Sequence, residues 1–379
     1  MDYNFRMVET NDEWLEGFRE QHVCHTWIPD RYTGEFAAQL SRAIHSGRYQ
    51  DVSPIFEAAG IEGWYRGTMS DYSYDLNPED PESNWLYVAL QGFRKLKPML
   101  DREGKAVDTF ATLGSGHALD AVGGYKVFNP KNVVMTDINA GTEWWLTSNF
   151  LRHIREPVWG GENGEDIVAL NYVDKQVRTY SLIGNLCEPL RERGLVADVM
   201  YANLPNIPEP DTAKVHDGMN SATFIDEDAI AAAPQKYHEY HLGLQHTLLQ
   251  NARDSLSDQG SLLVNLGGRV PVELVRDMFH ENGYGYEELF NHFKVQTEPE
   301  EVLTGYSVQG EQRYGVEFDY YRYDEAKRLL GERKPQDLSV EQLKELMSSV
   351  RVSATEGLER HHQGERLGHI VQLVRGVKQ

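Results

Sequence analysis

At 379 residues the chain exceeds the usual size of one compact core, so a central domain with additions at one or both ends is expected. Its 37 Lys and Arg stand against 59 Asp and Glu, and the net charge of −22 repels phosphate backbones and anionic membranes, arguing against nucleic-acid and membrane partners and favouring a cationic substrate. Only Cys24 and Cys187 occur, and there is no signal peptide and no apolar run of about 18 residues, so a soluble cytoplasmic protein without a disulfide framework is expected.

Residues 1–104 are rich in Trp, Tyr and acidic groups, and the turn-rich stretch Asp75-Leu-Asn-Pro-Glu-Asp-Pro-Glu-Ser83 interrupts any long element. A mainly helical added region is predicted there. Within it Trp64, Tyr65, Tyr72 and Tyr74 read either as packing between this region and a sheet or as an aromatic lid. From 105 to 325, short apolar runs alternate with helix-length segments, the pattern of a doubly wound α/β sheet of mainly parallel strands. The predicted strands are Val107 to Leu113, Asn132 to Asp137, Ser181 to Gly184, Asp198 to Ala202 and Ser261 to Leu266. Lys294 to Gln296 and Gly315 to Tyr323 are further β-like stretches that would close the sheet.

His238, His241 and His246 share one predicted helix and His361 with His362 another, but neither set has a metal-ligand spacing, and no metal site is expected. Gly267 and Gly268 before Arg269 read as a strand-to-loop turn. Residues 326–379 read as a charged helical tail. There Leu343, Leu346, Met347 and Val350 form one apolar stripe behind a capping-box signature at Ser339 and Gln342, suited to docking or to a homodimer.

The chemistry-bearing features lie in the middle. The run Thr109-Phe-Ala-Thr-Leu-Gly-Ser-Gly-His-Ala118 ends in Gly114 and Gly116, which let a backbone turn sharply and pass close to a ligand. A second apolar run, Val133 to Asp137, ends in a carboxylate able to accept hydrogen bonds from both hydroxyls of a ribose. Further on come Gly184-Asn-Leu-Cys-Glu-Pro-Leu190 and a buried strand ending abruptly in Asn203-Leu-Pro-Asn206. Pro205 bars the helical conformation at Leu204 and holds the turn extended, so that Asn203 projects from the carboxyl edge of the sheet.

This series resembles the class I S-adenosylmethionine-dependent methyltransferases that carry an Asn-Pro-Pro-Tyr-type motif, especially the HemK-type enzymes that methylate glutamine amides. The resemblance spans residues 105–325 and implies a Rossmann-like, seven-stranded methyltransferase sheet with S-adenosylmethionine as cofactor. It implies cofactor contacts at Thr112, Gly114, Ser115, Gly116, Asp137, Ile138, Asn185, Leu186 and Asn203. It puts Asn203 on the nitrogen to be methylated. Beside it, Leu204 is expected to accept through its backbone carbonyl as a second catalytic group, and Pro205, Asn206 and Glu209 are further candidates for contact with the substrate. The chain departs from the family at Thr112, which stands where an Asp is usual, and at Ala118, which replaces the third glycine. Asn185 replaces an adenine-contacting Asp, and Asn206 replaces the aromatic residue of the motif.

Losing the aromatic surface at position 206 points to a more polar acceptor than adenine or glutamine, such as the guanidino group of free L-arginine, which an amide-lined pocket in an acidic protein suits. Glu209 and Asp211 are the nearest carboxylates in sequence for such a group. The rival readings are a protein glutamine-amide methyltransferase, an NAD(P)-dependent reductase, a nucleic-acid base methyltransferase, and an inactive cofactor-binding or interaction protein. The reductase lacks its third fingerprint glycine, since Leu119 stands there, and the base methyltransferase lacks a basic track.

Overall fold

A strand buried on both faces reads as an unbroken apolar run, and Thr109–Leu113, all five residues buried, is such a strand. The computed structural model describes residues 49–68, 76–138, 149–150, 153, 167–172, 175–206 and 232–379. In chain order the strands are β1 (Tyr49–Asp51), β2 (Arg66–Thr68), β3 (Thr109–Leu113), β4 (Asn132–Asp137), β5 (Ile167–Tyr172) and β6 (Lys175–Ile183). They continue with β7 (Ala197–Ala202), β8 (Leu256–Gly267), β9 (Glu287–Val295), β10 (Tyr320–Arg322), β11 (Arg351–Val352) and β12 (Leu367–Val377). The α-helices are α1 (Ser53–Ala58), α2 (Trp85–Arg102), α3 (Leu119–Phe128), α4 (Glu188–Glu192), α5 (Gln235–Glu239) and α6 (Gly243–Ala252). After them come α7 (Val272–Glu281), α8 (Pro299–Gly305), α9 (Tyr323–Leu330), α10 (Val340–Leu346) and α11 (Ala354–His362).

β1 and β2 pair alone, and the other ten strands make one sheet in which β6, β4, β3, β7 and β8 run side by side and parallel. β12 lies antiparallel between β8 and β9, completing the seven-stranded methyltransferase sheet of the expected α/β, Rossmann-like class. β5 adds an antiparallel edge beyond β6, and β10 with β11 sits beside β12. The chain passes from β3 to β4 on one side and later to β7 on the other, so β3 is the switch point, where open α/β sheets bind ligands outside the strands' carboxyl ends.

Both faces are covered. α2 and α3 bring Leu90, Phe93 and Phe128 against Phe110, Tyr201, Leu263 and Leu373 of the sheet. On the opposite face Leu248, Leu249, Met278 and Phe279, from α6 and α7, pack on Leu113, Met200, Leu262 and Val264. Truncating any of the fully buried Phe or Leu side chains to Ala costs about 2–5 kcal/mol, so the sheet edge above them is held rigidly.

The segment boundaries need correction in two places. The first core contains α1 residues Ile55 and Phe56 together with Tyr65, stacked on Phe56 at 3.8 Å, so the described part of residues 1–104 shares the core of the sheet. Tyr65 is thus core, Trp64 is exposed under the Arg66 guanidinium, and Tyr72 and Tyr74 lie outside the described residues. The segment 326–379 does contain helices, but it also supplies β12, an interior strand, and is not a separate helical tail. The capping box at Ser339 and Gln342 forms as expected. The stripe behind it does not face outward: Leu343, Met347 and Val350 are buried against Phe293, Tyr321 and Ile370 of this same chain.

Candidate active site

The carboxyl ends of β3, β4, β6 and β7 carry the predicted site residues, and the local backbone explains how they meet. Gly114, Gly116 and Ala118 all adopt the left-handed conformation, at φ +63°, +49° and +61°. Glycine does so freely, whereas Ala118 bears roughly 1–2 kcal/mol of strain in a conformation that glycine would adopt without cost.

The turn is pinned from below. Ser115 N–H donates to the Thr136 carbonyl at 3.0 Å, and Ser115 Oγ donates to the Thr112 carbonyl at 2.9 Å while lying 2.5 Å from Thr112 Oγ1. Thr112 and Ser115, expected at the cofactor, are therefore buried beneath the turn and fix its shape. Gly116 N–H donates to Asp137 Oδ2 at 3.0 Å, tying the glycine turn to the carboxylate at the end of β4.

The next strand end is tied to the same point. Gly184 N–H donates to the Asp137 carbonyl at 2.9 Å, and Thr136 Oγ1 donates to the Leu186 carbonyl at 3.2 Å. Leu186 is held at φ +47°, a conformation that a branched side chain adopts only when its surroundings impose it. The half-buried Asn185 accepts from Glu188 N–H at 3.0 Å and so opens α4. Beside Asp137 two isoleucines stand in the open, Ile138 at 41% exposure and Ile183 at 38%, an apolar strip along an otherwise polar rim.

Asn203-Leu-Pro-Asn206 leaves β7 in extended form next to the glycine turn, close enough that a β-carbon on Gly114 would lie 3.2 Å from Leu204 Cδ2. Two residues that sequence reasoning missed hold this loop. Gln245 of α6, fully buried, aims Nε2 at the Leu204 and Pro205 carbonyls, 3.4 Å from each. Tyr306 donates its hydroxyl hydrogen to the Asn206 carbonyl at 2.8 Å. Asn203, Pro205 and Asn206 are half-buried, while Glu209 and Asp211 fall outside the described residues.

Three more features surround the site. Asp120, in the first turn of α3, is buried, and desolvation, opposed by backbone hydrogen bonds and helped by the negative charge of Asp137, pushes its carboxyl up to about 7. Trp85, at the start of α2, stacks on His117 of the glycine turn at 5.7 Å, so the helix before the sheet also reaches this edge. Past β8, the buried Arg269 stacks between Tyr306 and Tyr320, its guanidinium carbon 5.3 and 5.4 Å from the two ring centres.

Among the described residues no cluster of three metal-ligating side chains occurs, and no helix is long and apolar enough to cross a membrane. His238 bonds to the Tyr314 hydroxyl at 2.9 Å, His241 stacks on Phe318 and His246 on Tyr237.

No protein-family model matches the chain, and no curated protein matches it. Solved structures do. The chain is similar to a precorrin-6y C5,15-methyltransferase from Geobacter metallireducens, at 11% identity and a TM-score of 0.30, covering 55% of this chain and 78% of that one. It is similar to a ribosomal protein L11 methylase from Lactobacillus delbrueckii subsp. bulgaricus, at 14% identity and a TM-score of 0.31, covering 56% and 72%. A SAM-dependent methyltransferase from Agrobacterium tumefaciens matches at 12% identity and a TM-score of 0.35, over 60% of this chain and 59% of its own.

Proposed function

We propose that the chain is an S-adenosylmethionine-dependent N-methyltransferase acting on a planar nitrogen of a small substrate, the guanidino group of free L-arginine before others. The reading rests above all on the junction of Gly114 with Leu204, which sets a glycine turn and an asparagine-bearing loop side by side at the switch point of the sheet.

The residues fit the cofactor. Left-handed Gly114 and Gly116 leave no side chain between the turn and a bound sulfonium, the Asp137 carboxylate suits ribose hydroxyls, and Ile138 and Ile183 offer apolar surface to a flat base. Bound there, the cofactor supplies an electrophilic methyl group. The protein's own task is to align the acceptor nitrogen and exclude water, with no covalent nucleophile required.

In this reading the Asn203 side-chain carbonyl and the Leu204 backbone carbonyl accept hydrogen bonds from the nitrogen and aim it at the methyl carbon. As the N–C bond forms and the sulfonium S–C bond breaks, the guanidinium gives up one N–H proton to a base, for which Glu209 and Asp211 are the nearest carboxylates in sequence, so the product keeps a single positive charge. Gln245 and Tyr306, bonded to the carbonyls of Leu204, Pro205 and Asn206, keep the loop from yielding during that step. The acidic surface draws a cationic acceptor toward the protein.

Incubation with methyl-labelled S-adenosylmethionine and L-arginine, followed by mass spectrometry, tests the proposal. Label in a guanidino-methylated product supports it. Cofactor binding with no labelled arginine would discard this acceptor and retain the transferase.

A further inference from the structure

The far half of the same sheet edge holds an arrangement that methyl transfer to nitrogen leaves unexplained. Arg269 follows β8 and is 5% exposed, Lys294 is next to last in β9 at 9%, and His369 stands near the start of β12 at 3%. His369 and Lys294 are direct partners across the antiparallel pair, so their side chains leave the same face of the sheet, and His292, two residues before Lys294, joins them.

Among the described residues no carboxylate lies within ion-pair distance of Arg269 or Lys294. The Arg269 guanidinium meets only neutral partners, donating from Nη2 to Gln296 Oε1 at 2.8 Å and lying beside the Tyr306 and Tyr320 hydroxyls, and its buried Nε–H has no acceptor. His369 Nδ1 is likewise buried without a partner. Asp80 and Glu298 act on Lys294 only from longer range.

An uncompensated buried guanidinium costs several kcal/mol, and two tyrosine faces and one amide return only part of that. The sequence makes room for it all the same: a β-carbon at Gly267 would collide with the Arg269 guanidinium. Burial and the nearby Arg269 charge push the Lys294 ammonium down to about 8 and the His369 ring well below its ordinary value, both signs that the site lacks negative charge.

We propose that Arg269, with Lys294 and His369 behind it, binds the carboxylate of the acceptor molecule, so that the substrate is an amino acid held by its carboxylate at one end and methylated at the other. This rests on the methyltransferase reading above. The geometry links the two ends directly, because Tyr306 stacks under Arg269 and donates its hydroxyl to Asn206 of the acceptor loop. A planar guanidinium with a vacant N–H matches a carboxylate in a two-pronged bond. A zwitterionic amino acid also reconciles an acidic exterior that attracts cations with a cluster of buried basic side chains.

The test compares the full chain with Arg269→Gln and Arg269→Lys, each checked for folding by circular dichroism. Thermal unfolding in acetate is set against chloride at equal ionic strength, and calorimetry compares L-arginine with L-argininamide, in which a neutral amide replaces the carboxylate, at a salt concentration high enough to screen the difference in net charge. The pocket predicts that acetate raises the melting temperature by about 2 °C or more in the wild type and not in Arg269→Gln. It also predicts that arginine binds roughly 30-fold or more tighter than its amide, a gap that Arg269→Gln closes and Arg269→Lys partly keeps. An acetate response shared by all three proteins, or absent from the wild type, overturns the pocket. Titration with S-adenosylhomocysteine separates the two ideas. If it binds and acetate has no specific effect, the pocket is wrong and the transferase stands; if it fails to bind while acetate acts only through Arg269, the reverse holds.

Discussion

The two halves of the sheet's carboxyl edge are built on opposite principles. Around β3, β4 and β6 the groups proposed to hold the cofactor satisfy one another: Gly116 with Asp137, Ser115 with Thr136 and Thr112, Gly184 with Asp137, Thr136 with Leu186. Around β8, β9 and β12 polar atoms are buried and left over, at Arg269 Nε, His369 Nδ1 and the amide nitrogen of Gln372. The first half is preorganised by its own backbone. The second carries an electrostatic deficit that a ligand can relieve, and buried polar groups without partners mark where a molecule is to be completed from outside.

Breaking either half should give different signatures. The largest effect is expected from Asn203→Ala, which leaves the first half intact. Cofactor affinity should stay nearly unchanged, while labelled-methyl turnover falls by about 10²-fold or more, the order for losing one aligned transition-state partner. Unchanged turnover would remove Asn203 from the mechanism. Next comes Asp137→Ala, which strips the tie to Gly116 and should weaken S-adenosylhomocysteine binding by roughly 10–100-fold in calorimetry, from a loss of about 1.5–3 kcal/mol. Binding within a factor of two of wild type would break the assignment.

Gln245→Leu sharpens the comparison at the seam between the halves. Both Gln245 contacts are long, at 3.4 Å, and its Oε1 is buried without a partner. Stability should therefore change by less than about 1 kcal/mol, whereas turnover falls several-fold as the loop loosens. A large fall in denaturant midpoint with normal turnover would make Gln245 a purely structural residue.

A pH-dependent effect outside both halves is expected from Asp120→Asn. Asp120 is raised from an ordinary value of 3.8 to about 7 in the fold, so between those values the native state holds a proton that the unfolded chain has released. Its stabilising contribution is complete below about pH 3.8, declines by roughly 1.4 kcal/mol per pH unit as pH rises, and is gone above about pH 7. Asp120→Asn should hence gain stability relative to wild type as pH rises from 4 to 7, read from urea midpoints. Parallel profiles for the two proteins would contradict it.

The same contrast explains what the sequence revealed. The first half is written in contiguous stretches, a strand with its turn and the acid ending the next strand, so Gly114, Gly116, Asp137, Asn185 and Asn203 were legible, and all of them lie on one sheet edge. The second half joins residues 269, 294, 296, 306 and 369, which no local pattern connects. Its one local trace is the glycine pair before Arg269, where Gly267 clears the guanidinium. β12 lies within the segment expected to be a helical tail, and its polar residues His369, Gln372 and Arg375 fall three apart, a spacing that imitates a helix. All three are instead buried inside the sheet, where burial follows tertiary packing and not the alternation expected of a half-exposed strand. The boundary at 325 failed for the same reason, since an interior strand supplied from the end of the chain leaves no compositional step.

The most direct measurement is calorimetric titration of the full chain and of Asp137→Ala with S-adenosylhomocysteine. A glycine turn locked to Asp137 as a nucleoside cradle predicts saturable binding near the micromolar range that Asp137→Ala weakens at least tenfold, about 1.4 kcal/mol. No binding to the wild type, or equal binding to both proteins, would contradict the cofactor site on which the methyltransferase reading depends.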